Sequence, residues 1–499
     1  MSNFSPPNPN IMNRSILTVF CFLFTATAVF SQSKPHWNSV FAKINQEVQS
    51  NSQAYVTLGD ASEKIGHRLT GSENGSRAEE YAFNLLKSYG FRVKYQPFEV
   101  ESWSRGTIQT SVGFGAELHP VKSVSLAHSP VKSDVTASLA DLGNGLEEDY
   151  QHNPLLVKDK IALVYLGILP GSKTGLKNLH RSEKTALAIK YGASGIIIIN
   201  AVPNGVLLTG TASVTGKLIT IPAVCIGLED GMNLKSRLKS ESLQAKVSMT
   251  NFSGLIKARN VIATLKGTEL SKEKIVVGGH LDSWDLASGA IDNGIGSFSV
   301  LDMARTFKVL KLKPKRTIEF VMFMGEEQGL LGSKAYVERA VKNGSADKIR
   351  YMLNYDMTND PKGYSSSSAL SKELFQSIGS IAASIDTSFR NTFSSGAGLH
   401  SDHQPFMLQG IATGGAGGGK LPNNSGRCYH ADCDAFNLVD EQGMKNTVRF
   451  NSMLIYGLAD AEQIISTRLS DTQTRDFLIK NNLKEPLEIS GDWRWTDSK

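Results

Sequence analysis

Three apolar runs in this chain each end in residues able to hold a metal ion. KIVVGG (274–279) is followed by His280 and Asp282, TIEFVMFM (317–324) by Gly325, Glu326 and Glu327, and IRYMLNY (349–355) by Asp356. Asp292 sits in a glycine-flanked segment, GAIDNGIG, and YHADCD (429–434) adds His430. Any one of these could be an ordinary turn or helix cap, because Asp, Asn and Gly are turn-formers and acids suit helix starts. Gathered at one place, so many like charges would repel unless a cation neutralised them. Zinc accepts imidazole nitrogen and carboxylate oxygen, and two zinc ions about 3.5–4 Å apart need a bridging carboxylate. Asp292 can be that bridge, with His280 and Asp356 completing one site and Glu327 and His430 the other. Glu326 is then free to take a proton from an activated water. Asp282, two residues from His280, can accept the other ring N–H and fix its tautomer.

Positioning such a set requires strands that end together. From about residue 256 the pattern alternates strand and helix, with a helix over 294–310 after the first central strand. This implies a mostly parallel central sheet covered by helices on both faces, an α/β fold that binds ligands at the carboxyl ends of its strands. A last helix covers 441–464. Upstream, the chain opens with a helix, followed by a second over 76–89 and an alternating strand over 91–100. Residues 131–249 change character: strands at 159–167, 194–200 and 219–227, helices at 184–193 and 229–238, and no cluster of catalytic residue types. They read as an inserted domain. The expected division is therefore 1–31 leader, 32–130 and 250–470 the two parts of the catalytic domain, 131–249 the insertion, and 471–499 a polar tail that packs little. GGAGGGK (414–420) reads as a mobile loop.

These motifs resemble the co-catalytic zinc exopeptidases of peptidase family M28. The resemblance covers nearly the whole chain after the leader, taking in GHRLTGSENGSRAEEY, a protease-associated insertion with ALAIKYGASGIIIIN and IPAV, GGHLDSWDLASGAIDNGIG, FMGEEQGLLGSKAY, NYDM, HSDHQPF and YH. It implies the zinc exopeptidase fold, two zinc ions per chain on His280, Asp292, Glu327, Asp356 and His430, Glu326 as general base, and Asp282 as the residue that orients a ligand. It also implies that short peptides or dipeptides are hydrolysed by metal-activated water. The layout is most similar to dipeptidase-type members, whereas the Ser-Asp-His loop (His400, Ser401, Asp402, His403) is closer to aminopeptidases. That loop is expected to support ligands without binding metal. Tyr429 is a candidate donor to the oxyanion, and Arg427 reads as a surface arginine. Two other classes share the architecture: a non-enzymatic receptor that has lost the metals, and an aminoacyl cyclase with one zinc. The complete ligand set argues against the first, and His280 with the bridging Asp292 against the second.

Composition agrees with an exported globular enzyme. The 499 residues are 40% hydrophobic and 20% charged, enough for more than one domain, and the net charge of +6 comes from scattered Lys and Arg. No nucleic-acid footprint is indicated. Arg14, the apolar run 16–30 and the small residues Val29 and Ser31 read as a secretory signal cut near Ser31, with Met1 or Met12 as the start. The run is short of the roughly 20 residues that span a bilayer, so no stable membrane insertion is expected. The expected location is secreted or periplasmic, and a homodimer is compatible with the reading. Cys225 reads as a buried free thiol. Cys428 and Cys433, flanking His430, could close a small disulfide or, less readily, join a zinc site.

Overall fold

A computed structural model describes residues 34–496 except residue 116, so the leader at 1–31 and Cys21 lie outside the described residues. One continuous sheet organises the chain. At its centre the strand Leu270–His280 lies parallel to Ile349–Asn354 on one side and Arg316–Phe323 on the other. Thr413–Gly417 extends this parallel core, Gly363–Ser366 runs antiparallel to it, and Thr392–Ser395 closes the edge. Beyond Arg316–Phe323 comes the antiparallel strand Leu243–Leu265.

The central strands are apolar run-on sequences because both of their faces are covered. Ile275, Val277, Phe320 and Met322 pack with Phe298 and Leu301 of the helix Ile295–Val309 and Leu454 of the helix Glu441–Asp460. Val276, Val321 and Phe323 point the other way, onto Tyr336 and Val337 of Leu331–Lys342 and Phe406 of His403–Leu408. Adjacent residues therefore serve opposite layers, as the two-residue period of a strand requires.

The inserted domain hangs on a ribbon. Arg92–Phe114 and Leu243–Leu265 pair antiparallel along their lengths, with an irregularity between Arg105 and Ile108. They leave the catalytic sheet and continue into Lys132–Asp141, Ile161–Tyr165, Gly195–Ile199, Ala223–Ile226 and Ser123–Ser125. Helices Arg181–Lys190 and Leu228–Arg237 belong to this region. The strand expected at 91–100 is thus far longer than its alternating start suggests.

Two expectations are corrected. The tail beyond residue 470 is not loose: helices Asp471–Lys480 and Lys484–Ser490 bury Leu478 and Leu487 against Met407 and Leu408. Its apolar residues are too sparse and too divided between short helices to show a period. The glycine-rich segment is not a loop over its first half, because Thr413–Gly417 is a paired strand. There a Cβ on Gly415 would lie 2.7 Å from the carbonyl oxygen of Asn354, so glycine permits the close approach of the neighbouring strand.

Candidate metal centre

The parallel strands end level with one another. Phe323 is in register with His280, and Asn354 with Gly278, so the residues after each strand emerge at the same edge. Gly325, with φ of +78°, turns the chain sharply after Arg316–Phe323 and brings Glu326 and Glu327 back over that edge. Asp292 and Asn293, joined by a cis peptide bond, lie just before the helix Ile295–Val309.

The five expected ligands come together as two triads sharing Asp292. Nε2 of His280 is 3.3 Å from Oδ1 of Asp292 and 3.4 Å from Oδ1 of Asp356. Nε2 of His430 is 3.2 Å from Oδ2 of Asp292 and 3.0 Å from Oε2 of Glu327. Each oxygen of Asp292 therefore faces a different imidazole, the arrangement of a bridging carboxylate. Glu327 Oε1 and Asp356 Oδ1 are buried and make no hydrogen bond to the protein. Oxygen donors sealed from water and unpaired are costly unless a cation takes them. Seven carboxyl groups (Asp282, Asp292, Glu326, Glu327, Asp356, Asp402 and Asp434) gather around two guanidinium groups, Arg68 and Arg181. Two divalent cations would offset most of that imbalance. The donor set of two imidazoles and three carboxylates fits zinc.

The titration behaviour follows from this crowding. Burial alone would push the His280 and His430 rings down, but facing carboxylates (Asp356 and Glu326 for the first, Glu327 and Asp292 for the second) hold both above the ordinary value. Burial pushes the Glu327 carboxyl up to about 7. Glu326 is raised well above the carboxylate range by burial and by the charges of Asp356, Glu327 and Asp402, despite the pull of His280. Asp292 goes the other way, because the hydrogen bonds from His280 and His430 outweigh its burial.

Glu326 belongs to neither triad. Its backbone N–H donates to Oδ1 of Asp282 at 3.3 Å. For His280 the acceptor within hydrogen-bonding distance of Nδ1 is the main-chain carbonyl of Asp282 at 3.1 Å, with the carboxylate at 3.6 Å. Asp282 thus faces the ring with both its backbone carbonyl and its carboxylate, and its side chain also holds the segment that carries Glu326. In the Ser-Asp-His loop it is Ser401 that reaches a ligand, its hydroxyl donating to Oδ2 of Asp356 at 2.7 Å. The His403 ring is bonded through Nε2 to the Gly398 carbonyl, and the His400 ring stacks with His180 at 6.4 Å. The Tyr429 ring, 40% exposed, stacks on His430 with centroids 3.8 Å apart, and Arg427 is exposed. Cys428 and Cys433 form a disulfide around the His430 turn, and Cys225 is a buried free thiol.

Several supporting residues escaped the sequence reading. Asp434 accepts from the backbone N–H groups of Ile291 (2.7 Å) and Asp292 (3.0 Å). Asn293 donates to the carbonyls of Tyr355 and His280 and accepts from the N–H of Met357, tying three ligand-bearing segments. Buried Arg68 donates to the carbonyls of Leu281, Ser288 and Gly289. The inserted domain is also part of the centre. Thr209 N–H donates to the His430 carbonyl at 2.8 Å, Leu208 pairs with Ala431, and Arg181 Nη2 lies 2.8 Å from Nδ1 of His430. Asp434 had a signal, its closeness to His430 within YHADCD. Arg181 had none.

Comparison with known proteins agrees with this picture. Residues 260–455 match peptidase family M28, and residues 133–234 match the PA domain. Carboxypeptidase Q of Xenopus laevis is 30% identical over 314 residues, which is 59% of this chain and 63% of that protein. The chain thus matches less than two thirds of that relative's length. A probable leucine aminopeptidase 2 of Arthroderma benhamiae is 29% identical over 59% of this chain and 55% of its own. The crystal structure of a peptidase M28 precursor from Shewanella amazonensis superposes with a TM-score of 0.73 at 23% identity, covering 87% of this chain and 99% of that one. Residues 260–455 are thus similar to peptidase family M28, and the stretch similar to the PA domain is inserted in the α/β fold.

Proposed function

We propose that this protein is a secreted zinc-dependent exopeptidase, similar to carboxypeptidase Q, that hydrolyses peptide bonds in short peptides or dipeptides. The observation that carries the reading is Asp292, with one oxygen toward His280 and the other toward His430. His280, Asp292 and Asp356 would hold one zinc ion, and Asp292, Glu327 and His430 a second. Zinc supplies Lewis acidity for activating water and polarising the scissile carbonyl. Glu326 takes the proton of the attacking water and returns it to the leaving amine. The bond from its backbone N–H to Asp282 limits its drift. Asn293, Asp434 and Arg68 hold the ligand-bearing segments in place.

Arg181 favours a dipeptidase over an aminopeptidase. Its buried guanidinium lies beside His430, and its Nε has no acceptor. A free carboxylate at the end of a short peptide is the group an arginine fork matches. Among the described residues no helix is long and apolar enough to cross a membrane. The test is hydrolysis by zinc-loaded protein of free dipeptides against N-acetylated and C-amidated versions. Loss of turnover on C-amidation supports the dipeptidase reading. Undiminished turnover with amidation, and loss on acetylation, would make it an aminopeptidase. No hydrolysis of any of them would leave the non-enzymatic binding reading.

A further inference from the structure

His430 draws its backbone support from outside the catalytic fold. Its φ of +54° is in the left-handed region, a conformation that a residue with a Cβ keeps only where its surroundings impose it. The disulfide Cys428–Cys433 closes the turn that carries it, and Asp434 anchors the far end of that turn. Between those points the main chain finds its partners in the inserted domain. Thr209 N–H donates to the His430 carbonyl at 2.8 Å, and Asp432 N–H donates to the Leu207 carbonyl at 3.1 Å. The Leu207 N–H in turn donates to Oδ1 of Asp432 at 3.3 Å. Among the described residues, the main chain of 429–433 makes no other hydrogen bond beyond residues 426–434. Residues 207–209 thus lie as a short strand along the backbone of the ligand.

One side chain joins this strand to the other ligand-bearing segment. Arg105, on the ribbon at its irregularity before Ile108, donates from Nη2 to the Thr209 hydroxyl at 2.9 Å. Its Nε and Nη2 pair with the two oxygens of Asp285 at 2.9 and 2.8 Å. Its Nη1 donates to the carbonyl of Ser125, on a strand paired with the inserted domain's Ala223–Ile226. Asp285 lies between His280 and Asp292 in the chain. A bidentate arginine–carboxylate pair fixes direction as well as distance, and this one is mostly buried, its side chains 11% and 18% exposed. Beside it Leu69, Trp103, Ala127 and Trp284 pack together across the same junction. His280 and Asp292 are held without the inserted domain, by Arg68, Asn293 and Asp434. The junction therefore bears on one of the two metal sites.

We propose that Arg105 is a positioning residue for the second metal site, fixing the inserted domain where residues 207–209 hold His430 as a ligand. The site of Asp292, Glu327 and His430 then depends on that docking, and the site of His280, Asp292 and Asp356 does not. The proposal rests on the two-metal reading, and zinc binding tests it without turnover. Zinc is titrated into metal-free protein with one site removed, His280→Ala leaving the second site and His430→Ala the first. Arg105→Gln should weaken zinc binding at least about tenfold in the His280→Ala protein and change it less than about twofold in the His430→Ala protein. Thr209→Val keeps the side-chain shape and the Arg105–Asp285 pair but removes the arginine's hold on the strand. It should weaken the second site at least about threefold. Thermal unfolding of each metal-free protein shows which variants are folded. Equal weakening of both sites would make Arg105 a support of the fold alone, and it overturns the proposal. So does second-site affinity unmoved in either folded variant. If the parent chain binds fewer than two zinc ions, the two-metal reading falls and the proposal with it. If it binds two but cleaves no peptide, the positioning role stands and the peptidase reading falls.

Discussion

Asp434 offers a sharp test of how the bridging ligand is held. Its carboxylate is buried and accepts two backbone N–H groups, those of Ile291 and of Asp292 itself. Hydrogen bonds to a charged acceptor contribute about 1.5–3 kcal/mol each. Asp434→Asn keeps one oxygen as acceptor and turns an NH₂ toward the other N–H, so one bond is lost and two donors face each other. The loss of about 1.5–3 kcal/mol falls on the conformation that presents Asp292 to both triads. Because every 1.4 kcal/mol is tenfold in an equilibrium constant, zinc affinity should fall by roughly 10- to 100-fold. Asp434→Ala removes both bonds and should weaken zinc binding further. The assay is competition with a zinc-binding dye, run beside thermal unfolding of the metal-free proteins. If Asp434→Asn binds zinc within about twofold of the parent while its metal-free form is equally stable, the clamp does not position Asp292, and the argument fails.

Other outcomes follow from the same geometry. Glu326→Gln keeps the size of the side chain but cannot accept a proton, so the variant should bind zinc normally and turn over at least about a hundred times more slowly. Retained turnover with lost metal would make Glu326 a ligand and Glu327 the better candidate for the base. Burial lowers the His128 imidazole from 6.5 to about 4, so the folded state resists the proton that the unfolded chain accepts. Stability should therefore be lost as pH falls from about 6.5 toward 4, by up to about 3 kcal/mol from this group, and His128→Gln should flatten that slope in denaturant titrations. Burial pushes the Cys225 thiol up to about 12, so mass spectrometry should find it unalkylated in the native protein and modified once the chain unfolds. Rapid labelling under native conditions would contradict the buried position.

Much of the chemistry of the centre was legible in the residues because three of the five ligands, His280, Glu327 and Asp356, follow apolar runs whose length and β-branching mark them as central strands. His280, Glu326, Glu327 and Asp356 inherit their common location from strand ends alone, and strand order decides only which pairs face each other. The inserted domain was likewise visible, since its periodicity differs from that of its flanks. What escaped was everything held by contacts distant along the chain. Arg181 reaches His430 across 249 positions, and Asp434 reaches Ile291 across 143. No local pattern encodes such meetings, because they depend on how the ribbon Arg92–Phe114 with Leu243–Leu265 sets one domain against the other. The glycine-rich strand Thr413–Gly417 and the helical tail were misjudged for the opposite reason. Their own sequences have weak preferences, and pairing with neighbouring strands or burial of two leucines decides their form. Residue types and spacing determined which atoms could hold metal. Tertiary packing alone decided that each oxygen of Asp292 would face a different histidine, because that depends on backbone hydrogen bonds made by residues far from it in the chain.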